Sequence, residues 1–254
     1  MTDKAELAAE KSELPRDTGG GGAMNIDWVE IPAGAFVYQG EAAKNERFQM
    51  ARYPVTNAQF QAYLDDGGTA GASSCWDEPD HPRTNVSWHE ANAYCAWLGK
   101  KLGREVRLPT EREWERAASG TDGRKYPWGN EYKVGYANLD ETADGAGPHY
   151  RGRTSAVGAY PQGASLEGVL DLSGNVWEWC SDKYREDRMW RVLRGGGWFY
   201  DRGRARSSFR DYNLPEARSY LMGFRVVACG PAPDEAIRIE GKAFFDEIQR
   251  RLDK

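Results

Sequence analysis

Ten Trp and thirteen Tyr are scattered among twenty-nine Gly, and this pairing limits the fold more than any other feature of the chain. Indole and phenol rings each bury a large area, so a chain rich in them can close a core without long regular elements. Abundant glycine supplies turns. The combination points to irregular loops held by aromatics rather than to a helical bundle. At 254 residues the length allows one large domain or two small ones, and we read one.

Several classes are excluded early. With 40% hydrophobic and 29% charged residues and a mean hydropathy of -0.77, the composition is that of a soluble globular protein, and no run approaches the ~18 apolar residues of a membrane span. The opening MTDKAELAAEKSELPRD is charged and lacks an apolar core of the kind a secretory signal carries, so the expected location is the cytoplasm, with export by another route left open. A net charge of -5 argues against a globally basic nucleic-acid binder. Locally the balance reverses: residues 191–225 hold eight Arg against Asp201, Asp211 and Glu216, a net of +5. No nucleic-acid motif accompanies them. Cys75, Cys95, Cys180 and Cys229 lack C-x-x-C spacing and read as reduced, mostly buried thiols.

Residues 1–24, with four consecutive glycines at 19–22, read as a flexible tail. The domain is expected over 25–230 and a C-terminal amphipathic helix over 231–254, with Ile237, Phe244, Phe245, Ile248 and Leu252 on one face. Trp28–Ile31 and Phe36–Tyr38 read as strands. Three helices share one start signal, a hydroxyl cap followed three residues later by Glu or Gln: Thr56 with Gln59, Ser87 with Glu90, Thr110 with Glu113. Gly67, Gly99 and Gly120 are expected to end them. A long loop region is expected from Tyr126 to Asp171, then strands at 175–179, 192–194 and 223–227.

The ordered motifs Ile31-Pro-Ala-Gly, Tyr53-Pro-Val-Thr-Asn, Val86-Ser-Trp, Arg107-Leu-Pro-Thr-Glu-Arg-Glu-Trp-Glu, Pro127-Trp-Gly, Ser173-Gly-Asn-Val-Trp-Glu-Trp, Arg194-Gly-Gly-Gly-Trp and Gly223-Phe-Arg resemble the formylglycine-generating enzyme (sulfatase-modifying factor) family. The resemblance implies an α+β domain of the C-type lectin fold, loop-rich, with short helices and a twisted antiparallel sheet. It also implies structural calcium in loops, since hard cations take carboxylate and carbonyl oxygens. One site would use Asn138, Leu139 and Asp144, the other Ser173, Gly174, Val176 and Glu178; the alternative for Glu178 is an ion pair with an Arg.

The family's oxidase uses copper held by two cysteines after the Gly-Gly-Ser-Trp-like motif, because soft thiolates select Cu(I). Here those positions read Tyr200 and Ala205. No copper is expected, and no catalytic residue is assigned. His81 and His89 could supply a two-histidine iron site only with an unidentified carboxylate.

The stretch Arg194–Val227, ending Gly-Phe-Arg-Val-Val, is similar to the variable region of proteins diversified by retroelements. In those systems adenine randomisation turns AAC-type codons into a restricted set that includes Tyr, Asp, Ser, Gly, Ala, Arg, Leu and Phe and never Lys, Glu, Gln, Met or Trp. Phe199, Tyr200, Asp201, Arg204, Phe209, Asp211, Tyr212, Leu214, Ala217, Ser219, Tyr220 and Leu221 fall in that set, whereas Trp198, Glu216 and Met222 fall outside it and sit where a fixed scaffold is expected. Tyr, Phe and Arg are also the side chains of interface hot spots. The expectation is a binding protein for an unidentified protein or other macromolecule, with no membrane insertion. The competing expectation is an oxidoreductase of the same superfamily with metal-dependent chemistry.

Overall fold

Apolar side chains in the described part of the chain gather into two main clusters, and the elements are arranged to close them. The computed structural model describes residues 25–229; the expected tail and C-terminal helix lie outside these. β1 (Trp28–Ile31), β2 (Gly34–Tyr38), β3 (Glu41–Asn45) and β4 (Phe48–Ala51) open the domain. α1 (Asn57–Asp65), α2 (Trp88–Leu102), β5 (Val106–Arg107) and α3 (Glu111–Ser119) follow. After a long loop region come β6 (Trp177–Lys183), β7 (Arg191–Arg194), β8 (Arg210–Asn213), β9 (Met222–Gly223) and β10 (Val227–Ala228). They form one sheet in the order β1-β4-β10-β5, a second in the order β8-β7-β6-β9, and the hairpin β2-β3. Pairing is antiparallel apart from the β6–β9 contact.

All three helices start at the expected capping boxes, where the hydroxyl of Thr56, Ser87 or Thr110 accepts from the backbone of the third helical residue and that residue's side chain returns the bond. Each box satisfies amides that helix geometry orphans. α2 buries Ala91, Tyr94, Cys95 and Leu98, the stripe its spacing predicts. It runs on through Gly99 to a left-handed cap at Gly103.

One cluster packs Phe60, Tyr94, Trp179 and Phe224 under α1 and α2, and the other packs Ile31, Met50, Trp114 and Val227 under α3. The strand expected at 223–227 is split: Met222–Gly223 pairs with β6 and Val227–Ala228 with β4 and β5. Between the halves Arg225 turns inward. Its Nε and Nη2 reach the Glu178 carboxylate at 2.6 Å each, Nη1 donates to the carbonyls of Ala51 and Arg52, and Nη2 also donates to that of Leu170. Both charged side chains are fully buried.

The loop region from Tyr126 to Asp171 is ordered by its own aromatics and one acid. Tyr126 stacks on Trp128 at 5.2 Å, and buried Glu141 accepts from Tyr132 Oη, the Gly135 N–H and a His149 ring nitrogen. Nearby, buried Asp171 accepts from the Gly158 N–H at 2.7 Å, and desolvation pushes its carboxyl up to about 6.

Removing the Arg225 guanidinium strands the Glu178 charge in the core, so Arg225→Met is expected to lower the unfolding free energy by about 3–5 kcal/mol in urea titrations. A carboxyl raised on folding contributes stability that declines as pH rises from its unfolded value near ~4 to about 6. Asp171→Asn should therefore gain stability relative to the parent across that window, with a constant difference above it; thermal melts at stepped pH check this.

Candidate binding face

β7 delivers Arg194 into the core, and the chain then turns back through Gly195 and Gly196, with φ of +94° and +74°. A Cβ on Gly196 would stand 3.1 Å from the Arg204 carbonyl oxygen, so the loop closes on itself because that position has no side chain. Trp198 then drops into the core, whereas Phe199 stands 50% exposed.

Backbone bonds pin the loop from below. The Asp140 N–H donates to the Tyr200 carbonyl at 3.0 Å, Ser173 Oγ donates to the Ala205 carbonyl at 2.9 Å, and the Ser207 N–H donates to the Lys125 carbonyl at 2.8 Å. Fully buried Arg194 donates to the Ser207 carbonyl and pairs with Glu111 at 2.9 Å and Glu115 at 2.6 Å, both on α3. Asp201 shapes its own turn, accepting from the N–H groups of Gly203 and Arg204.

Two aromatic groups emerge on this frame. In the first, Trp198 lies 5.4 Å from Trp76, 5.7 Å from Phe199, 5.9 Å from Tyr220 and 6.2 Å from Tyr150. In the second, Tyr212 of β8 stacks on Trp190 at 4.4 Å and lies 4.5 Å from Tyr184. Exposed Arg204 lies over Tyr200 at 4.8 Å and stands 3.7 Å from Asp211. Rigid rings and planar guanidinium groups of this kind give large contact area at low entropic cost.

Among the expected contact residues, Phe199, Arg204, Tyr212, Leu214 and Tyr220 are exposed. Tyr200, Asp201, Phe209, Asp211, Ala217 and Ser219 are half-buried. Leu221 is corrected: it is 9% exposed and belongs to the main core cluster, so it supports the face from beneath. Glu216, expected to belong to the fixed scaffold, is exposed. Trp76, Tyr150, Tyr184 and Trp190 were not foreseen: Trp76 and Tyr150 arrive from loops remote in sequence, Tyr184 and Trp190 from the connection between β6 and β7, and none carries a local motif.

Of the two expected calcium sets, the one built on Glu178 does not fit a cation in this arrangement. Glu178 spends both carboxylate oxygens on Arg225 and accepts from Trp114 Nε1 at 2.7 Å, so its set does not fit calcium. Asp144 is held by Arg202 at 2.8 Å, and Asn138 Oδ1 is buried without a hydrogen-bond partner. The segments meant for separate ions pack on each other: the Asn175 N–H donates to the Asn138 carbonyl, Gly174 is in close contact with that carbonyl, Val176 is buried beside them, and Ser173 holds Ala205 while Leu139 packs with Ala205 in a small cluster. At the positions of the oxidase cysteines, Ala205 is fully buried and Tyr200 half-buried. Burial pushes the Cys180 thiol well up, and His81 is bonded to Thr154 Oγ1 at 2.8 Å. No helix among the described residues is long and apolar enough to cross a membrane.

Surface and core positions should separate cleanly in denaturant titrations. Phe199→Ala and Leu214→Ala are expected to change stability by about 0.5 kcal/mol or less, and Leu221→Ala to cost about 2–5 kcal/mol.

Residues 21–229 match the sulfatase-modifying factor enzyme 1-like domain. The chain is 40% identical over 172 residues to a Bos taurus protein named inactive C-alpha-formylglycine-generating enzyme 2, spanning 61% of this chain and 53% of that protein. It is 33% identical over 236 residues to a Mycobacterium tuberculosis hercynine oxygenase, spanning 70% and 52%. The chain thus spans about half the length of these curated relatives. The fold also matches the solved Treponema denticola variable protein 1, with a TM-score of 0.62 and 21% identity over 79% of this chain and 94% of that one. With its ordered motifs lying inside a family domain that covers most of its length, the chain belongs to the sulfatase-modifying factor (formylglycine-generating enzyme) family, on a C-type lectin-like α+β fold.

Proposed function

We propose that the protein is a non-catalytic binder whose ligand face, between Phe199 and Tyr220, is diversified at the level of its gene. The observation that carries this reading is the division of labour along residues 194–227. Side chains compatible with adenine-randomised codons include the exposed Phe199, Arg204, Tyr212, Leu214 and Tyr220, whereas Arg194, Trp198, Met222 and Arg225 are buried supports and Glu216 is an exposed exception outside the set. A surface open to wholesale replacement needs a frame that does not depend on the side chains being replaced. The backbone bonds at Tyr200, Ala205 and Ser207 supply one.

The non-catalytic part rests on chemistry. A Cu(I) site in the manner of the oxidase needs two thiolates, and Tyr200 and Ala205 provide none. Resemblance to a relative named as inactive supports the same reading. The ligand is read as a protein or other macromolecule, because exposed side chains spread from Phe199 to Tyr220 carry the face.

The test is genetic. A near-copy of the segment encoding Arg194–Val227 is expected close to this gene, beside a reverse transcriptase, differing at adenines in the codons for Phe199, Tyr200, Asp211, Tyr212 and Tyr220. Absence of the copy overturns diversification. Stoichiometric copper or iron in the purified protein, with oxygen consumption on a thiol substrate, overturns the non-catalytic reading.

A further inference from the structure

Behind the binding face lies a cavity of about 870 Å³, walled by α1 on one side and by the loop of residues 70–79 on the other. Arg83 lines it. This arginine is 7% exposed, lies 4.5 Å over the Phe60 ring and donates from Nη2 to the Ala72 carbonyl, while its Nε is buried without a partner. Among the described residues no carboxylate lies within ion-pairing distance of it. The acid that acts on it from further away, Glu90, is already held by Arg218 at 2.9 Å and by Ser87 Oγ at 2.6 Å. Arginine keeps its proton in proteins, and an unpaired buried charge is costly. A guanidinium left in that condition at a cavity wall is suited to an incoming anion, which it can grip through two parallel N–H bonds.

The rest of the lining narrows the chemistry. Asp65 and Asp77 line the same cavity. Asp65 takes one hydrogen bond, from Gln61. Their charges repel a phosphate dianion and favour a ligand that brings a cation along with its anion. Asn57, also in the wall, uses its amide nitrogen on the carbonyls of Trp76 and Glu78 and leaves Oδ1 buried without a donor.

We propose that this cavity is a binding site for a small zwitterion bearing a carboxylate and an ammonium group, a free amino acid or a short peptide, with the carboxylate on Arg83 and the ammonium toward Asp77 and Asp65. The site is separate from the face between Phe199 and Tyr220 and stands whether or not that face is diversified. The two adjoin through the loop of residues 70–79: Gly71, in the cavity lining, packs against the Arg218 guanidinium, and Trp76 of the same loop lies 5.4 Å from Trp198 and 6.2 Å from Tyr220.

Calorimetric titration of the full chain with each standard amino acid and with triglycine is the test, with acetate, methylamine and inorganic phosphate as controls. At least one zwitterion is expected to bind at a single saturable site, with the controls silent; binding by amino acids but not triglycine assigns a free amino acid, and the reverse a peptide. Arg83→Gln should weaken binding roughly tenfold or more, as should Asp77→Asn, whose position on an exposed loop leaves folding intact by circular dichroism. Saturation by phosphate or acetate alone, no saturable binding by any zwitterion, or binding unchanged in Asp77→Asn overturns the proposal.

Discussion

The buried pair of Arg225 and Glu178 is the constraint on which the other parts of the molecule depend. One guanidinium gathers a strand of the second sheet through Glu178, the end of β4 through the carbonyls of Ala51 and Arg52, and the long loop region through Leu170. Trp114 of α3 joins through the same carboxylate. Apolar contact alone is non-directional; these bonds have fixed directions and therefore fix how two sheets and a helix are set against one another. A second network, Arg194 with Glu111 and Glu115, repeats the arrangement one strand away and extends it to the loop beneath the face. Charged groups taken from water in this way contribute little net energy once desolvation is counted, so their part is mainly to select one arrangement.

Local rules were legible wherever they act over a few residues. The capping boxes at Thr56, Ser87 and Thr110 mark helix starts because cap and partner lie three residues apart, and the α2 stripe follows from helical periodicity. Non-local pairing was not legible. β5 and β9 have two residues each, too short for any alternation to register. The break at Arg225 looks in sequence like a charge on an exposed strand face, and only the carboxylate nearly fifty residues earlier explains its burial.

The same divide runs through the candidate face. The match to adenine-randomised codons within 199–221 pointed to Phe199, Tyr212 and Tyr220, and all three are exposed. It could not distinguish Leu221, which differs from Leu214 only in facing the core cluster. Nor could it find Trp76, Tyr150, Tyr184 and Trp190, which join the face through tertiary proximity. The set around Glu178 misled for a related reason: an oxygen donor list read in sequence carries no information on which oxygens are already spent, and Glu178 is spent on Arg225.

The pins at Tyr200, Ala205 and Ser207 divide the first part of the exposed loop into two short spans, each anchored through backbone atoms at both ends. A span held this way passes little backbone strain to its neighbour, so what couples one span to the next is left to side chains that touch across them, such as Arg204 with Tyr200 and Asp211. Sequence space for such a surface factorises in part: positions without a cross-span contact can vary on their own, whereas a contacting pair such as Arg204 and Asp211 must change together.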